Sequence, residues 1–505
     1  MPDPSNTGSL FEPEVHKHRR RKRKLTEFTH SSTRATTIMV LAALAALIIV
    51  NTNIIPGFHD FWTTTYLQFS IGGFEAHISL EHFINDFLMA FFFLVIGLEI
   101  KFEMTAGSLT KPRKALLPIF AAVGGAILPA GIFLAINSGT GFENGWGIPM
   151  ANDIAFCLGI LALLGNRIPL GLRAYLSTLT IVDDIIAILV IAFFYTESLN
   201  IWWLLGGLAL FGVLMIVNRM HIYDLSVYMV IGLLMWVCFL LSGVHATLAG
   251  VLLALTIPAQ SQVKLGNVTS WFSTKASTAE ERYDPGEHDI EQKEYLNEIR
   301  KIGKVSRLSI PPVTRLDHFL HTPVYFIILP LFAFASAGVL VVGTDLLELV
   351  THPVTIGVFF GLLVGKPVGI FLFTLLTVKL KICPLPDGVR WGHIVGVSVL
   401  GGVGFTMAIF ITNLAFVDPM LIDMAKTAIL SASLIAGVTG FLLLRHEAKK
   451  DVEVMSDEEL KVIREQQDAK DREVDTIEAG IKSSNDVSVE SGVVFPKFDE
   501  SEPRD

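Results

Sequence analysis

The sequence predicts an all-α polytopic membrane protein with twelve transmembrane helices, and three observations carry that prediction. Composition comes first: 51% of the 505 residues are hydrophobic and 17% are charged, with 35 Phe and a mean hydropathy of +0.55. Soluble domains carry about 25% charge. Recurrence comes second, with apolar segments near 36–53, 86–106, 115–136, 149–164, 169–195, 202–218, 223–241, 244–258, 323–344, 353–378, 391–414 and 424–444. A spanning helix needs about 20 apolar residues, so the short segments 149–164 and 244–258 rest partly on their context. Charge sorting is third. With the N-terminus inside, Lys101, Lys111, Arg113, Lys114, Arg167, Arg173, Arg219, the cluster from Lys264 to Arg315, Lys379, Lys381, Arg390, Arg445, Lys449 and Lys450 all fall on one side. The opposite connections hold Asp60, Glu75, Glu81, Glu143, Glu197, Asp345, Glu348 and Asp418 without one Lys or Arg, which places both termini in the cytoplasm.

Residues 1–32 form a basic tail containing His16 to Lys24, HKHRRRKRK. Directly before a membrane span, that run reads as an anchor attracted to anionic lipid, with a nucleic-acid patch as the weaker alternative. The tail has no apolar run, so no cleaved signal peptide is expected and the first span does the targeting. Cys157, Cys238 and Cys383 lie in or beside apolar runs without metal-ligand spacing, so neither disulfides nor zinc are implied. The membrane domain is expected over 33–446, followed over 447–505 by an acidic cytoplasmic tail expected to be disordered, since its Asp, Glu, Ser and Lys cannot build a core.

After the first span, residues 54–81 carry β-formers around Gly72-Gly73, as expected of an outer hairpin whose free edge could pair with a second subunit. An irregular loop packed on its own subunit is the alternative. The second span carries Asp86, Glu99 and Glu103; the last two share a helix face and suit a cytoplasmic funnel for cations, or an ordinary solvated rim. Span 4, Trp146 to Leu164, opens with Gly147, Pro149, Asn152 and Asp153. Pro removes a backbone donor and Asn and Asp compete for backbone groups, so a broken helix is expected there, with Asp153 at the break or as a cap.

Span 5 holds the adjacent carboxylates Asp183 and Asp184 near its centre. One Asp at a spanning-helix centre costs roughly 2.5 to 3.5 kcal/mol, so the pair asks for about 5 to 7 kcal/mol unless a partner, a cation or a proton offsets it. His245 opens the eighth span and reads as a neutral hydrogen-bonded histidine, with titration near neutral pH as the alternative. Residues 259–310 form a polar cytoplasmic insertion with eight acidic and eight basic residues and no ligand motif. Lys366 is read as the one cation deep in an apolar span, and it needs Asp153, Asp183 or Asp184 as partner. Span 11 carries Gly396, Gly401, Gly402 and Gly404, which suit either close packing or a second break. Breaks in spans 4 and 11 together would be corresponding interrupted helices in the two halves of an inverted-repeat transporter, the pointer to its site.

Three acids and one lysine in the interior favour exchange of a small cation against protons, because desolvated acids and bases trade protons near physiological pH. No nucleophile triad, phosphate loop, haem or zinc cluster competes, so neither enzyme activity nor a cofactor is expected, and the filter sequence of a potassium channel is absent. The motifs INDFLMAFFFLVIGLEIK at 84–101, ANDIAFCLGILALLGNRIP at 151–169, TIVDDIIAI at 180–188, SGVHATLAG at 242–250, RLDHFLH at 315–321, LLVGKPVGI at 362–370 and GFTMAIFI at 404–411 resemble, in order, the NhaA-type sodium/proton antiporters. AAVGGAILPA at 121–130 and LPLFAFASAG at 329–338 belong to the same match, which covers about 33–446. That family is itself a type example of the inverted-repeat transporter, so the repeat rule adds no separate support.

The resemblance implies electrogenic efflux of Na+ or Li+ against H+ by alternating access, a multi-pass place in the cell's inner membrane, a role in pH and sodium homeostasis, and a homodimer joined by the hairpin at 54–81. It implies that Asp183 and Asp184 are the essential carboxylates and transported-ion ligands, Asp153 the acid between crossed broken helices, Lys366 the buried lysine, and Glu99 with Glu103 the pH-response region. Asn152 stands where the family more usually has Thr, a departure that bears on ion coordination or pH response. The insertion and both tails lie outside the common pattern. Two other readings remain open: a cation-coupled organic-solute transporter of similar fold, and a non-transporting membrane sensor or scaffold.

Overall fold

The computed structural model describes residues 32–454 apart from short stretches, the longest being 340–345. The basic run at 16–24, most of the acidic tail, and Asp60, Glu81, Glu197 and Asp345 lie outside the described residues. The described residues up to Ala448 belong to one compact unit.

The chain begins with α1 (Ser32–Thr52) and a two-stranded antiparallel ribbon, β1 (Tyr66–Ile71) and β2 (Phe74–Ser79), with Tyr66 opposite Ser79 and Ile71 opposite Phe74. Next come α2 (Phe83–Thr105), whose first six residues are π-wound, α3 (Pro112–Asn137), a 3-10 run over Glu143–Met150, and α4 (Ile154–Leu163). Then follow α5 (Leu170–Phe194), α6 (Ile201–Arg219), α7 (Leu225–Ser242) and α8 (Leu248–Thr256). The insertion forms a helical hairpin of α9 (Leu265–Glu281) and α10 (Lys293–Ser309). The rest comprises α11 (Pro312–Ser336), α12 (Leu346–Thr351), α13 (Pro353–Lys379), α14 (Trp391–Leu400), α15 (Phe405–Ala415) and α16 (Pro419–Val454).

Polar residues set several of these boundaries. Asn200 caps α6 by accepting from the Trp202 amide, and Asp224 caps α7 by accepting from the Ser226 amide. Gly243 ends α7 with φ 79°, a left-handed conformation that costs glycine nothing.

Ten helices among the described residues are long and apolar enough to cross a membrane, or eleven if α14 and α15, bent by 43° at their break, count as one span. Twelve were expected. The difference lies at 244–258: after Gly243 the chain runs through turns to Thr247, leaving nine helical residues in α8, about 14 Å of helix against a hydrocarbon core of about 30 Å. The chain is otherwise the expected all-α polytopic fold, with β1–β2 as its only sheet among the described residues.

Burial sorts centre from rim. The Glu143–Leu163 stretch is 72% buried over its apolar window and α5 67%, whereas α6 is only 11% buried and shows Trp202 and Leu205 outward. The broken span and the carboxylate-bearing helix therefore form the middle of the bundle. Close backbone approach seats α13 beside them: a Cβ added at Gly369 would stand 2.2 Å from the Gly124 carbonyl oxygen of α3. Only glycine permits that contact.

Candidate functional site

Asp183 and Asp184 project from α5 with 1% exposure each, and Lys366 of α13 is fully buried. The Lys366 Nζ stands 2.6 Å from Asp183 Oδ2 and also donates to the Met150 carbonyl, the last residue of the 3-10 run. Three acids were candidates for Lys366, and the structure selects Asp183. A five-residue π turn, Gly361–Gly365, directly precedes Lys366 and shifts the register of α13 there. Asp183 Oδ1 and Asp184 Oδ2 are sealed from solvent without a hydrogen-bond partner. The site thus holds two open carboxylate oxygens beside one ammonium.

Asp153 lies at the crossing of the two interrupted segments and is saturated. It is the N-cap of α4, with Oδ1 accepting from the Phe156 amide at 3.0 Å, while Oδ2 accepts from the Thr406 hydroxyl at 2.6 Å and the Thr406 amide at 3.0 Å. Its own amide donates to the Val403 carbonyl at 2.9 Å. The chain at 401–404 crosses the chain at 151–153 so closely that a Cβ on Gly404 would stand 3.0 Å from the Ala151 carbonyl oxygen. The start of one helix and the start of the other, α4 and α15, are therefore latched through one carboxylate. Asn152 is 1% exposed; its Oδ1 accepts from the Cys157 thiol at 3.2 Å, and its Nδ2 has no partner.

Glu99 accepts from the Tyr325 hydroxyl at 3.2 Å on the wall of a cavity of about 90 Å³ that also touches Thr36, Met39, Ala155 and His321. Ile154, the residue after Asp153, and Ala155 also line that wall. Glu103 is not on this wall. It accepts from the Ser108 amide and hydroxyl at 2.7 and 3.0 Å, and the Ser108 hydroxyl meets that of Thr178 at 2.6 Å, which ties the end of α2 to α5. Asp86 sits in the π-wound start of α2, where its carbonyl accepts from the Trp236 indole at 3.3 Å. His245 Nε2 stands 2.7 Å from the Tyr195 carbonyl oxygen, a geometry that suits a ring N–H donor and joins the start of α8 to the end of α5.

The sequence reading missed several members. Thr406, Cys157 and Tyr325 are uncharged and sit among apolar neighbours, so only their place near a break or an acid could have flagged them. Lys426 in α16 is 6% exposed, a second buried lysine that corrects the view of Lys366 as alone. In the sequence it is the third residue of the expected span 424–444 and follows Asp423 by three positions.

Buried acids, one paired lysine and two interrupted helices crossing inside a polytopic bundle define a membrane transporter rather than an enzyme. The profile of the family described as Na+/H+ antiporter 1 matches residues 26–444. The chain is 43% identical over 408 residues to a Na+/H+ antiporter NhaA of Oleidesulfovibrio alaskensis, covering 81% of this chain and 90% of that protein. It is also 43% identical over 421 residues to a Na+/H+ antiporter NhaA 1 of Psychromonas ingrahamii, and 43% identical over 426 residues to a Na+/H+ antiporter NhaA of Helicobacter pylori. These matches cover 82% and 83% of this chain and 94% of each relative. The chain belongs to the NhaA family of sodium/proton antiporters, multi-pass proteins of the inner membrane.

Proposed function

We propose that this protein exports Na+ or Li+ in exchange for H+, electrogenically, in the service of pH and sodium homeostasis. The observation that carries the reading is the pair of unpartnered oxygens, Asp183 Oδ1 and Asp184 Oδ2, beside an Asp183 already neutralised by Lys366. A small cation arriving there gains both open oxygens and competes with the ammonium for Asp183. Displaced from its carboxylate, a buried lysine loses the charge that kept it protonated and gives up its proton. Asp184 gives up a second proton as the cation takes its oxygen, so two protons trade for one univalent cation and net charge moves. Asp153 serves in this reading by holding the crossed segments, and Glu99 with Glu103 by tying the cytoplasmic end of α2 to the pH response. Two of the groups in that cytoplasmic wall, Glu99 and Tyr325, are already joined by a hydrogen bond.

A scaffold would have no use for buried charges.

Twelve crossings fit best, with both termini cytoplasmic and the breaks before α4 and α15 as corresponding features of inverted repeats. Support for α8 as part of a crossing comes from its ends. The Asn200 amide, at the start of α6, donates to the Ser242 carbonyl, and Asn218, at the end of α6, donates to the Thr256 carbonyl. Residues 243–256 thus travel between the same two levels as the 19-residue α6. A homodimer through β1–β2 completes the proposal, because a lone two-stranded ribbon is marginal and has free edges. The test is sodium-driven proton movement in everted vesicles across a range of pH, with Asp183→Asn and Asp184→Asn alongside. No sodium- or lithium-dependent proton flux from the unsubstituted chain would sink the reading.

A further inference from the structure

Helix α15 starts at the crossing without a side chain of its own to cap it. The first amides of a helix have no partner inside it, and a Ser, Thr, Asn or Asp just before the helix commonly accepts from them. Gly404 holds that place here. A Cβ on it would stand 3.0 Å from the Ala151 carbonyl oxygen, and equally near the Ala408 and Leu362 side chains. A tight crossing and a capping side chain exclude each other at this position.

Two distant side chains cap α15 instead. Asp153 Oδ2 accepts from the Thr406 amide, and Ser433 Oγ, from α16, accepts from the amides of Gly404 and Phe405 at 3.3 Å each. Ser433 is 3% exposed, so water does not compete for those amides. Unlike the two interrupted segments, α16 runs unbroken from Pro419 past the crossing. Ala436, Gly437 and Gly440 follow Ser433 by three, four and seven positions and so share its helix face. A Cβ on Gly440 would stand 3.0 Å from the Leu400 amide nitrogen at the end of α14, and one on Gly437 would stand 3.4 Å from Ile160 of α4 and 3.7 Å from Val403. One continuous helix therefore backs both interrupted ones, and Ser433 is where its hydroxyl holds the start of α15.

We propose, resting on the antiport reading above, that Ser433 is a positioning residue for the exchange. Through the amides of Gly404 and Phe405 it fixes where α15 begins, and so keeps Thr406 at both of its bonds to Asp153. Asp153 in turn lies within electrostatic reach of Asp184. The partial positive charge of a helix start acts only over its first turn, so its placement matters to the carboxylates beside it. Without the hydroxyl, two sealed amides compete with Thr406 for Asp153, and the start of α15 shifts against α4. The crossing then presents its acids to an ion in a less settled geometry.

The test compares Ser433→Ala with Ser433→Thr, which keeps the hydroxyl, in the full chain. Amide hydrogen exchange in micelles, read by mass spectrometry, should speed up several-fold in peptides covering 404–406 and 153–157 in Ser433→Ala and stay unchanged in Ser433→Thr. In proteoliposomes Ser433→Ala should raise the KM for sodium several-fold at a nearly unchanged maximal rate, and Ser433→Thr should restore it. Ser433→Ala combined with Thr406→Val should raise KM no further than the larger single effect, because both act on the same bonds to Asp153. Should the alanine variant fail to assemble, Ser433→Cys, which keeps the volume and weakens the acceptor, takes its place. Unchanged protection over 404–406 would overturn the cap. A KM that stays put, or that rises additively with Thr406→Val, would overturn the positioning role and leave Ser433 as packing. An unsubstituted chain that moves no sodium while its variants show the expected protection pattern would overturn the antiport reading and leave the cap standing.

Discussion

Replacing Lys366 by Met keeps the stem and deletes the charge, which isolates the ion pair with Asp183. At 2.6 Å and an effective dielectric of about 20, the gross attraction is about 6 kcal/mol, and the desolvation of both groups offsets much of it. What remains measurable is the penalty for stranding one partner. Lys366→Met leaves Asp183 with neither oxygen partnered and frees the Met150 carbonyl; Asp183→Asn leaves an ammonium in an apolar core. Each single change should cost about 3 to 5 kcal/mol of stability near neutral pH. Removing both leaves neither charge of the pair stranded, so the double variant should be no less stable than either single one, which amounts to a coupling of about 3 kcal/mol or more. Equilibrium unfolding in mixed micelles gives the four corners of the cycle, and exchange should be lost at three of them. Additive costs, with coupling within about 0.5 kcal/mol, would refute a buried pair and with it the competition between cation and ammonium.

Other expectations follow from the same geometry. Asp184→Asn should abolish exchange, whereas Asp153→Asn, which keeps an acceptor for the Phe156 amide, should slow it without ending it; complete loss of sodium binding in Asp153→Asn would place that acid among the ion's ligands. Thr406→Val removes a hydroxyl bond to a carboxylate but keeps the amide bond, so about 1.5 to 3 kcal/mol of stability should be lost and the KM for sodium should rise, as read from unfolding and flux. Gly369→Leu should block seating of α13 against α3 and drain folded protein from the membrane fraction, visible as loss of a monodisperse peak in detergent. In the cytoplasmic hairpin, the Lys301 and Lys275 ammoniums hold the Glu298 carboxyl below its ordinary value of 4.5. An unfolded Glu298 takes up its proton first as pH falls, so the stability it contributes is present above about 4.5 and is lost below it. Hydrogen-exchange protection over 265–309, corrected for the intrinsic amide rate at each pH, should therefore fall with acid in the full chain, and Glu298→Gln should flatten that dependence.

Long spans were legible because some 20 apolar residues have few other uses, and the buried charges were legible because each stood out against such a run. What could not be read was set by contacts between distant segments. Nothing in LLVGKPVGI says that Lys366 turns to Asp183 rather than Asp184 or Asp153; the π turn at Gly361–Gly365 and the Gly124–Gly369 approach decide it. Segment 244–258 reads as a short span because its apolarity is continuous, but apolarity does not register that the chain at 243–247 runs through turns before the helix begins at Leu248. Pairing of Glu99 with a tyrosine 226 residues away was equally invisible to periodicity. The helix break at Pro149–Asp153 is the opposite case, since missing donors and competing side chains act locally, and local chemistry is what a sequence states most directly.

Two polar contacts tie charge to backbone at this crossing, and together they suggest why the helices are interrupted there. Lys366 binds the carbonyl of Met150, at the end of the 3-10 run, while Asp153 binds the amides at the starts of α4 and α15. A continuous helix would have consumed those carbonyl and amide groups internally, leaving the buried charges without partners. Because the run is broken, the ammonium paired with Asp183 is also a ligand of the backbone bordering the crossing. Drawing Lys366 away from Asp183 disturbs the Met150 contact in the same act, so in the proposed exchange occupancy of the carboxylates and the shape of the crossing change together. A ligand moves a conformational equilibrium only by as much as it prefers one state over the other. Here that preference has a location, the ammonium shared between a carboxylate and a carbonyl.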